Sequence, residues 1–330
     1  MKAAWYEKNG PADEVLCLGD MERPSVGPGE VLVRVHTSGV NPSDVKTRGG
    51  TGGGLAYPRI IPHSDGAGVI EAVSEGVDPA RVGERVWVFN AAWQRAWGTA
   101  ATYVALPSAQ AVVLPDGVSF EAGACLGIPA MTAHRCVFAD GPVRGQTVLV
   151  TGGAGAVGHY AVQWARWGGA TVLTTVSSEA KAHHAQSAGA HHIINYKTQD
   201  VVEAVHELTR GQGVDRIVEV ELGGNLEVSR QVLKAHGVIA AYGSMAVPTP
   251  ALPFYPMMFK DITLRMILVY LLPEAARRQA IADLNEAMQR GRLTHAIHQT
   301  YPLDDMVAAH QAVESGQVIG NVVVIPNPAA

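Results

Sequence analysis

Residues 146–158 read Q-T-V-L-V-T-G-G-A-G-A-V-G. Val148, Leu149 and Val150 form an unbroken apolar run, the pattern of a strand buried on both faces of a parallel sheet. Gly153-x-Gly155-x-x-Gly158 follows at once, with Gly152 in front of it. In that spacing the first glycine makes a tight turn, the second lets backbone approach a pyrophosphate, and the third lets a helix pack against the strand. Apolar residues at 157, 161, 164 and 165 share one helical face, so a helix opens inside the glycine run. Its first N–H groups, those of Ala156, Val157 and Gly158, then point at the phosphates. Residues 170–176 (A-T-V-L-T-T-V) supply a second strand and close a unit of ~30 residues. A glycine-rich turn by itself is common; the strand before it and the helix after it make this one a nucleotide-binding turn.

Outward from that unit the chain alternates helix and strand. A helix is expected over 122–139, broken near Pro129, and another over 179–188 with a Gly189 stop. A strand over 192–195, a helix over 200–209 and a strand over 217–220 follow, then a helix over 225–235 and a strand over 238–242. Pro248, Pro250, Pro253 and Pro256 mark a loop. The run I-T-L-R-M-I-L-V-Y from Ile262 to Tyr270 reads as one long strand, and 275–290 as an amphipathic helix. This is the pattern of an α/β doubly wound parallel sheet. Residues 1–122 instead read as short strands, at 30–36, 69–73 and 85–89, with the glycine run 49–54 as a surface excursion. The tail, a helix over 304–314 and a strand over 322–325, is expected to return to them. The domains expected are therefore 1–122 with 294–330, mainly β, and 123–293, nucleotide-binding.

The 330 residues favour two domains over a single core. Net charge is −5 and no basic run occurs, so charge favours neither nucleic acid nor an anionic membrane as a partner. The first ten residues hold no apolar leader, and no stretch of ~18 apolar residues follows, so a cytosolic location is expected. Cys17, Cys125 and Cys136 form no C-x-x-C pair and read as buried free thiols.

Further stretches carry a resemblance: S-G-V-N-P-S-D at 38–44, P-H-S-D-G-A-G at 62–68, V-G-E-R-V at 82–86, the glycine loop, I-N-Y at 194–196, Y-G-S at 242–244, and Y-P-L at 301–303 with Ala309-His310. Together they resemble the zinc-independent quinone oxidoreductases (zeta-crystallin-like) of the medium-chain dehydrogenase/reductase superfamily, in family order along nearly the whole chain. The resemblance implies a GroES-like substrate domain built from both chain ends and a Rossmann domain inserted between them.

Zinc-dependent members of that superfamily hold a catalytic metal with Cys, His and Cys. The corresponding positions here are Asn41, Ser64 and Ile128, which do not form a zinc site, so no metal is expected. His63, next to the ligand position, reads as a polar or packing residue. His295-x-x-His298 has ligand spacing without partners and reads as a solvated helix end.

For the cofactor, the second strand ends Thr175-Val176-Ser177-Ser178 with no acid before Glu179, and Lys181 follows. An acid at the strand end binds ribose hydroxyls in NAD enzymes; a hydroxyl cluster with a cation suits a 2′-phosphate, so NADPH is expected. Lys181 also reads as an ordinary solvated helix residue. The resemblance adds Tyr196 as a cofactor contact, Gly243 and Ser244 where nicotinamide lies, and Thr132 near the nicotinamide, each with a plain structural alternative. Asn41 is expected to hold the acceptor or the nicotinamide ribose. Lys46 and Arg48 are read as sources of positive charge or as surface residues. Close relatives carry tyrosine where this chain has Lys46, which leaves the acceptor open.

The function implied is NADPH-dependent hydride transfer to a small electrophilic acceptor, a quinone first. An enoyl or alkenal reductase and a non-enzymatic, NADPH-bound, RNA-binding or crystallin-like protein are the alternatives. The resemblance places Ile262 to Tyr270 at the sheet edge, and a homodimer through it is expected, because an exposed apolar edge strand is a hazard unless covered.

Overall fold

The structure is a computed structural model and describes residues 1–326. The chain divides into two compact units, Met1–Pro129 with Ile281–Ala330, and Ala130–Ala280. The first seam lies beyond residue 122 because the segment after it is bonded into the first unit. Thr37 Oγ1 donates to the Phe120 carbonyl at 2.6 Å, and the Ile128 N–H donates to Asp65 Oδ2 at 2.8 Å.

In the first unit, β1 (Lys2–Trp5) and β2 (Cys17–Asp20) form an antiparallel pair, with the one-turn helix α1 (Ala12–Val15) between them. The larger sheet contains β3 (Glu30–Val40), β4 (Asp65–Val73), β5 (Arg85–Val88), β6 (Tyr103–Pro107) and β7 (Ala111–Val113). Helices α2 (Pro42–Arg48) and α3 (Phe120–Gly123) also belong here. β3 was expected to end at His36 but runs four residues further. Its first half pairs with β6 and its second half with a strand from the C-terminal part of the chain, while β4 lines its other side. Thr37 and Ser38 hid the extension, because a polar pair does not read as core; both are buried and hydrogen-bonded.

The second unit opens with a π-helical turn carried over from Leu126–Ala130, which contains Pro129, and α4 (Met131–Phe138). Then come β8 (Thr147–Val150), α5 (Ala156–Trp167), β9 (Thr171–Val176), α6 (Glu179–Ser187), β10 (His192–Asn195), α7 (Val201–Leu208) and β11 (Val214–Glu219). It ends with α8 (Leu222–Val232), β12 (Leu233–Ala241), α9 (Phe254–Met258) and β13 (Thr263–Met266). The six strands are parallel in the order β10-β9-β8-β11-β12-β13. Val148, Leu149 and Val150 are buried, as the apolar run required. Strand order reverses between β8 and β11, and in such sheets ligands bind outside the strand ends at that reversal.

Helix α10 (Glu274–Gln289) follows, and then β14 (Ile297–Pro302), α11 (Met306–Glu314) and β15 (Asn321–Ile325). β15 pairs with β3, Val322 opposite Val40, so the tail returns to the N-terminal sheet. The order of that sheet is β14-β15-β3-β4-β5-β7, with β6 also on β3.

Several expectations are corrected. The run from Ile262 to Tyr270 is a strand only over Thr263–Met266, in its first half. Pairing with β12 stops at Ala241 opposite Met266, the Ile267 N–H makes a last bond to the Ala241 carbonyl, and Val269–Leu271 turns into a 3₁₀ helix. With β12 ended, nothing holds those apolar residues extended. His298 lies in β14, not on a helix end. Cys17 is exposed, while Cys125 and Cys136 are buried. Arg265, in the edge strand, has an acid partner: its guanidinium reaches Asp140, which also accepts from the buried Arg216 at 3.0 Å. Among the described residues no helix is long and apolar enough to cross a membrane.

Candidate functional site

The turn between β8 and α5 is a cradle that side chains would fill. Gly152 has φ +69, a conformation that favours glycine. A Cβ on Gly158 would lie under 3.0 Å from the Gly152 carbonyl oxygen, and one on Gly153 equally close to Thr174 Oγ1. The turn is pinned to β9, the Gly152 N–H donating to Thr175 Oγ1 at 3.1 Å and the Gly153 N–H to the Thr175 carbonyl at 3.2 Å. α5 begins after Gly155 with no side-chain cap. The N–H groups of Ala156, Val157 and Gly158 therefore end a helix whose positive pole has no built-in acceptor, which fits an anionic pyrophosphate.

The other sequence-predicted cofactor residues stand along the same carboxyl edge of the sheet. Ser177 follows β9; Ser178 caps α6, its Oγ accepting the Lys181 N–H at 3.3 Å, which places Lys181 in the first turn. Tyr196 follows β10 and is exposed. Gly243 and Ser244 follow β12, and a Cβ on Gly243 would stand under 3.0 Å from the Val220 carbonyl oxygen. Between the ends of β8, β9 and β11 lies a cavity of about 300 Å³, whose walls include Thr151, Gly152, Tyr196, Val201, Glu219 and Val228. Thr132 is buried in the first turn of α4. Glu219 and Glu221 were missed in the sequence. An acid at the close of an apolar strand (Ile217, Val218, then Glu219) was the signal available.

In the first unit, Asn41 is the N-cap of α2 and is buried. Its N–H donates to Asp44 Oδ2 at 2.8 Å, and its Nδ2 donates to Asp65 Oδ2 at 2.9 Å. Asp65 Oδ2 also takes the Ile128 N–H. Burial pushes the Asp65 carboxyl well up, with the Asp44 charge adding to the rise, and burial raises Asp44 to about 7. The positions that resemble zinc ligands thus present an amide, a hydroxyl and an aliphatic chain, with N–H donors converging on one carboxyl. These residues do not fit a zinc ion.

The structure separates the two cations assigned to the acceptor. Lys46 is half-buried in the last turn of α2. Arg48 is 1% exposed, and its guanidinium is committed to the Gly10 carbonyl, Glu314 and His310. It offers no charge to a substrate, which corrects the catalytic reading. Arg48 Nε donates to His310 Nδ1 at 3.3 Å, and since a guanidinium never accepts, the His310 proton sits on Nε2. It is donated to His63 Nε2 at 2.9 Å; His63 then donates from Nδ1 to Ser38 Oγ at 2.8 Å, Ser38 to Thr99 Oγ1 at 2.7 Å, and Thr99 to the Asp65 carbonyl at 2.5 Å. This chain holds His63 at φ +76 and requires both imidazoles neutral. Burial pushes both down, His310 to about 3, and each is lowered further by a neighbour, Arg48 for His310 and His310 for His63.

A reversed-order parallel sheet with a phosphate cradle, joined to a mainly β unit made from both chain ends, defines a nucleotide-dependent dehydrogenase of medium-chain type. Residues 27–116 match the alcohol dehydrogenase GroES-like domain, and residues 156–286 the zinc-binding dehydrogenase domain. The chain is 32% identical to a 2-haloacrylate reductase from Burkholderia, over 99% of each chain. It is 31% identical to the quinone oxidoreductase of Rattus norvegicus, over 93% of this chain and 92% of that one. A mycobacterial protein solved in complex with NADPH superposes with a TM-score of 0.89 at 30% identity, over 99% of this chain and all of the other. The chain belongs to the quinone oxidoreductase family of the medium-chain dehydrogenase/reductase superfamily.

The neutral histidine pair makes stability depend on pH. Between pH 6.5 and about 3 the unfolded chain binds a proton that folded His310 refuses, so this contribution is lost as pH falls. Asp44 and Asp65, with raised values, act in the opposite direction, so a difference against a variant isolates the histidine. From pH 7 to pH 5 the unmodified protein is expected to lose about 2 kcal/mol relative to His310→Asn, read from urea unfolding at both pH values. A constant difference would mean that His310 takes up its proton in the folded protein.

Proposed function

We propose that this protein reduces a small electrophilic acceptor, a quinone or an activated carbon–carbon double bond, with hydride from NADPH and without a metal. The observation that carries the reading is the uncapped α5 amino end over a cradle closed to side chains, beside a strand end that offers Ser177, Ser178 and Lys181 and no acid. NADPH supplies the hydride when bound. The N–H groups of Ala156, Val157 and Gly158 hold its pyrophosphate, Ser177 and Lys181 its 2′-phosphate, and Tyr196 the rim of the adenosine seat. Gly243 and Ser244 flank the nicotinamide end and Thr132 serves it; Asn41 is the first unit's hydrogen-bonding group for the acceptor. Lys46, in the last turn of α2, is the cation assigned to the acceptor. The double-bond reading is favoured by the Burkholderia relative, a 2-haloacrylate reductase. The net charge of −5 without a basic run favours a small-molecule acceptor over a nucleic-acid partner.

NADPH oxidation followed against a panel of quinones, alkenals and 2-haloacrylates, with a chelator present, decides between the acceptors; no turnover with any of them sinks the enzymatic reading. Lys181→Ala is expected to weaken NADPH binding by roughly 10- to 100-fold, the worth of a charge-assisted phosphate contact, while leaving NADH binding nearly unchanged. Equal losses for both cofactors would remove Lys181 from the site.

We also propose that two copies pair through β13. It is the edge strand of its sheet; Met266, its last residue, is 75% exposed, and Leu271, beyond it, 64%. An edge that apolar is blunted by pairing with its own copy about a two-fold axis. Sedimentation is expected to show a dimer at micromolar concentration and a shift toward monomer for Met266→Glu. A well-folded monomer for the unmodified protein would rule this out.

A further inference from the structure

Glu219, Val220 and Glu221 close β11 and carry two carboxylates that reach in different directions. Glu219 is completely buried, and its oxygens take four donors. Oε1 accepts the Thr151 hydroxyl and the Glu221 N–H, both at 2.8 Å, and the Asn225 side-chain amide at 2.9 Å; Oε2 accepts the Ser229 hydroxyl at 3.1 Å. Thr151 leads directly into Gly152, and its own Oγ1 accepts the Val220 N–H at 2.9 Å. One carboxylate therefore ties the start of the phosphate turn to the β11–α8 turn and to α8 itself, across the place where strand order reverses.

Glu221 reaches the other way. Its Oε2 accepts the Met245 N–H at 2.6 Å, and its Oε1 the Gly224 N–H at 3.4 Å. Burial pushes this carboxyl up, but the N–H groups of Met245, Ala246, Gly224 and Val247 outweigh it and hold it below its ordinary value. Ser244 completes the tie, accepting the Gly223 N–H at 2.9 Å and donating to the Val247 carbonyl at 2.6 Å. The phosphate turn and the loop 243–247 are thus fastened to the same three residues. A buried carboxylate is a poor source of stability compared with a well-packed apolar residue, so what four converging donors secure is a defined arrangement.

We propose that Glu219 and Glu221 are positioning residues for the cofactor, Glu219 fixing the seat of the phosphates and Glu221 the seat of the nicotinamide. This rests on the NADPH reading above. It predicts that the two seats can be disturbed separately, which a purely structural role for either carboxylate does not.

The test uses the full chain with two probes: 2′-phospho-ADP-ribose, which has every phosphate and no nicotinamide, measured by calorimetry, and NADPH itself, whose fluorescence reports the surroundings of the nicotinamide. Glu221→Gln is expected to leave affinity for the fragment within about twofold while the fluorescence of bound NADPH moves toward that of the free molecule. Glu219→Gln is expected to weaken the fragment by about tenfold. Thr151→Val removes the tie but leaves the buried carboxylate three donors, and gives a loss of the same sign if Glu219→Gln does not fold. The proposal is overturned if Glu221→Gln weakens fragment and NADPH equally, if it leaves the NADPH fluorescence unchanged, or if neither Glu219→Gln nor Thr151→Val alters fragment binding. An unmodified chain that binds neither probe would overturn the cofactor reading and this one together, and that result is visible before any variant is made.

Discussion

Where α5 leaves the turn after β8, the backbone of Gly158 packs against the carbonyl of Gly152 with no room for a side chain between them. That contact fixes the direction of the helix relative to the strand. Because β8 is the central strand, flanked by β9 and β11, the same contact fixes where the helix pole meets the carboxyl edge of the whole sheet. The cradle N–H groups, the hydroxyls after β9 and the loop after β12 can serve one extended ligand only if that pole is correctly aimed. Buried on both faces, β8 cannot shift to accommodate a bulkier residue, so the turn absorbs the constraint in glycine.

The elements most legible in the sequence were those whose local pattern and long-range environment agree. Val148 to Val150 read as a two-sided buried strand and are one; Lys181 read as a first-turn helix residue after two serines and is one. Illegible features had partners distant in the chain. Thr37 and Ser38 look like the end of a strand until β15 arrives to pair beside them. The apolar residues after Met266 look like more strand, but the neighbour that would hold them has ended. Arg48 looked like a surface or catalytic cation because Glu314 and His310 stand on α11, 266 and 262 residues away. Glu219 was overlooked since its four donors come from three separate segments, none of them recognisable as a motif.

In the first unit the buried Arg48 is shared among a carboxylate, Glu314, the Gly10 carbonyl and a neutral imidazole, His310. The Arg48 guanidinium only donates, so it dictates the tautomer of His310, and through it the direction of every hydrogen bond as far as the Asp65 carbonyl. The side chain of Asp65 then holds Asn41 and the Ile128 N–H. The region that resembles a metal centre is therefore organised by donors pointing at a carboxyl.

The pairing of β15 with β3 has a consequence for the birth of the chain. All six strands of the nucleotide-binding sheet lie within one contiguous stretch, so that sheet can close while synthesis is still in progress. The first unit cannot. The strand at Val322–Val324 is made long after β3, and until it emerges the second half of β3 is paired on one side only, by β4, and Arg48 lacks Glu314. Closing so long a loop is slow, which leaves an early-made sheet edge exposed until that strand arrives. Polar Thr37 and Ser38 and unbranched Gly39 along that waiting edge make it a poor template for aggregation during the delay.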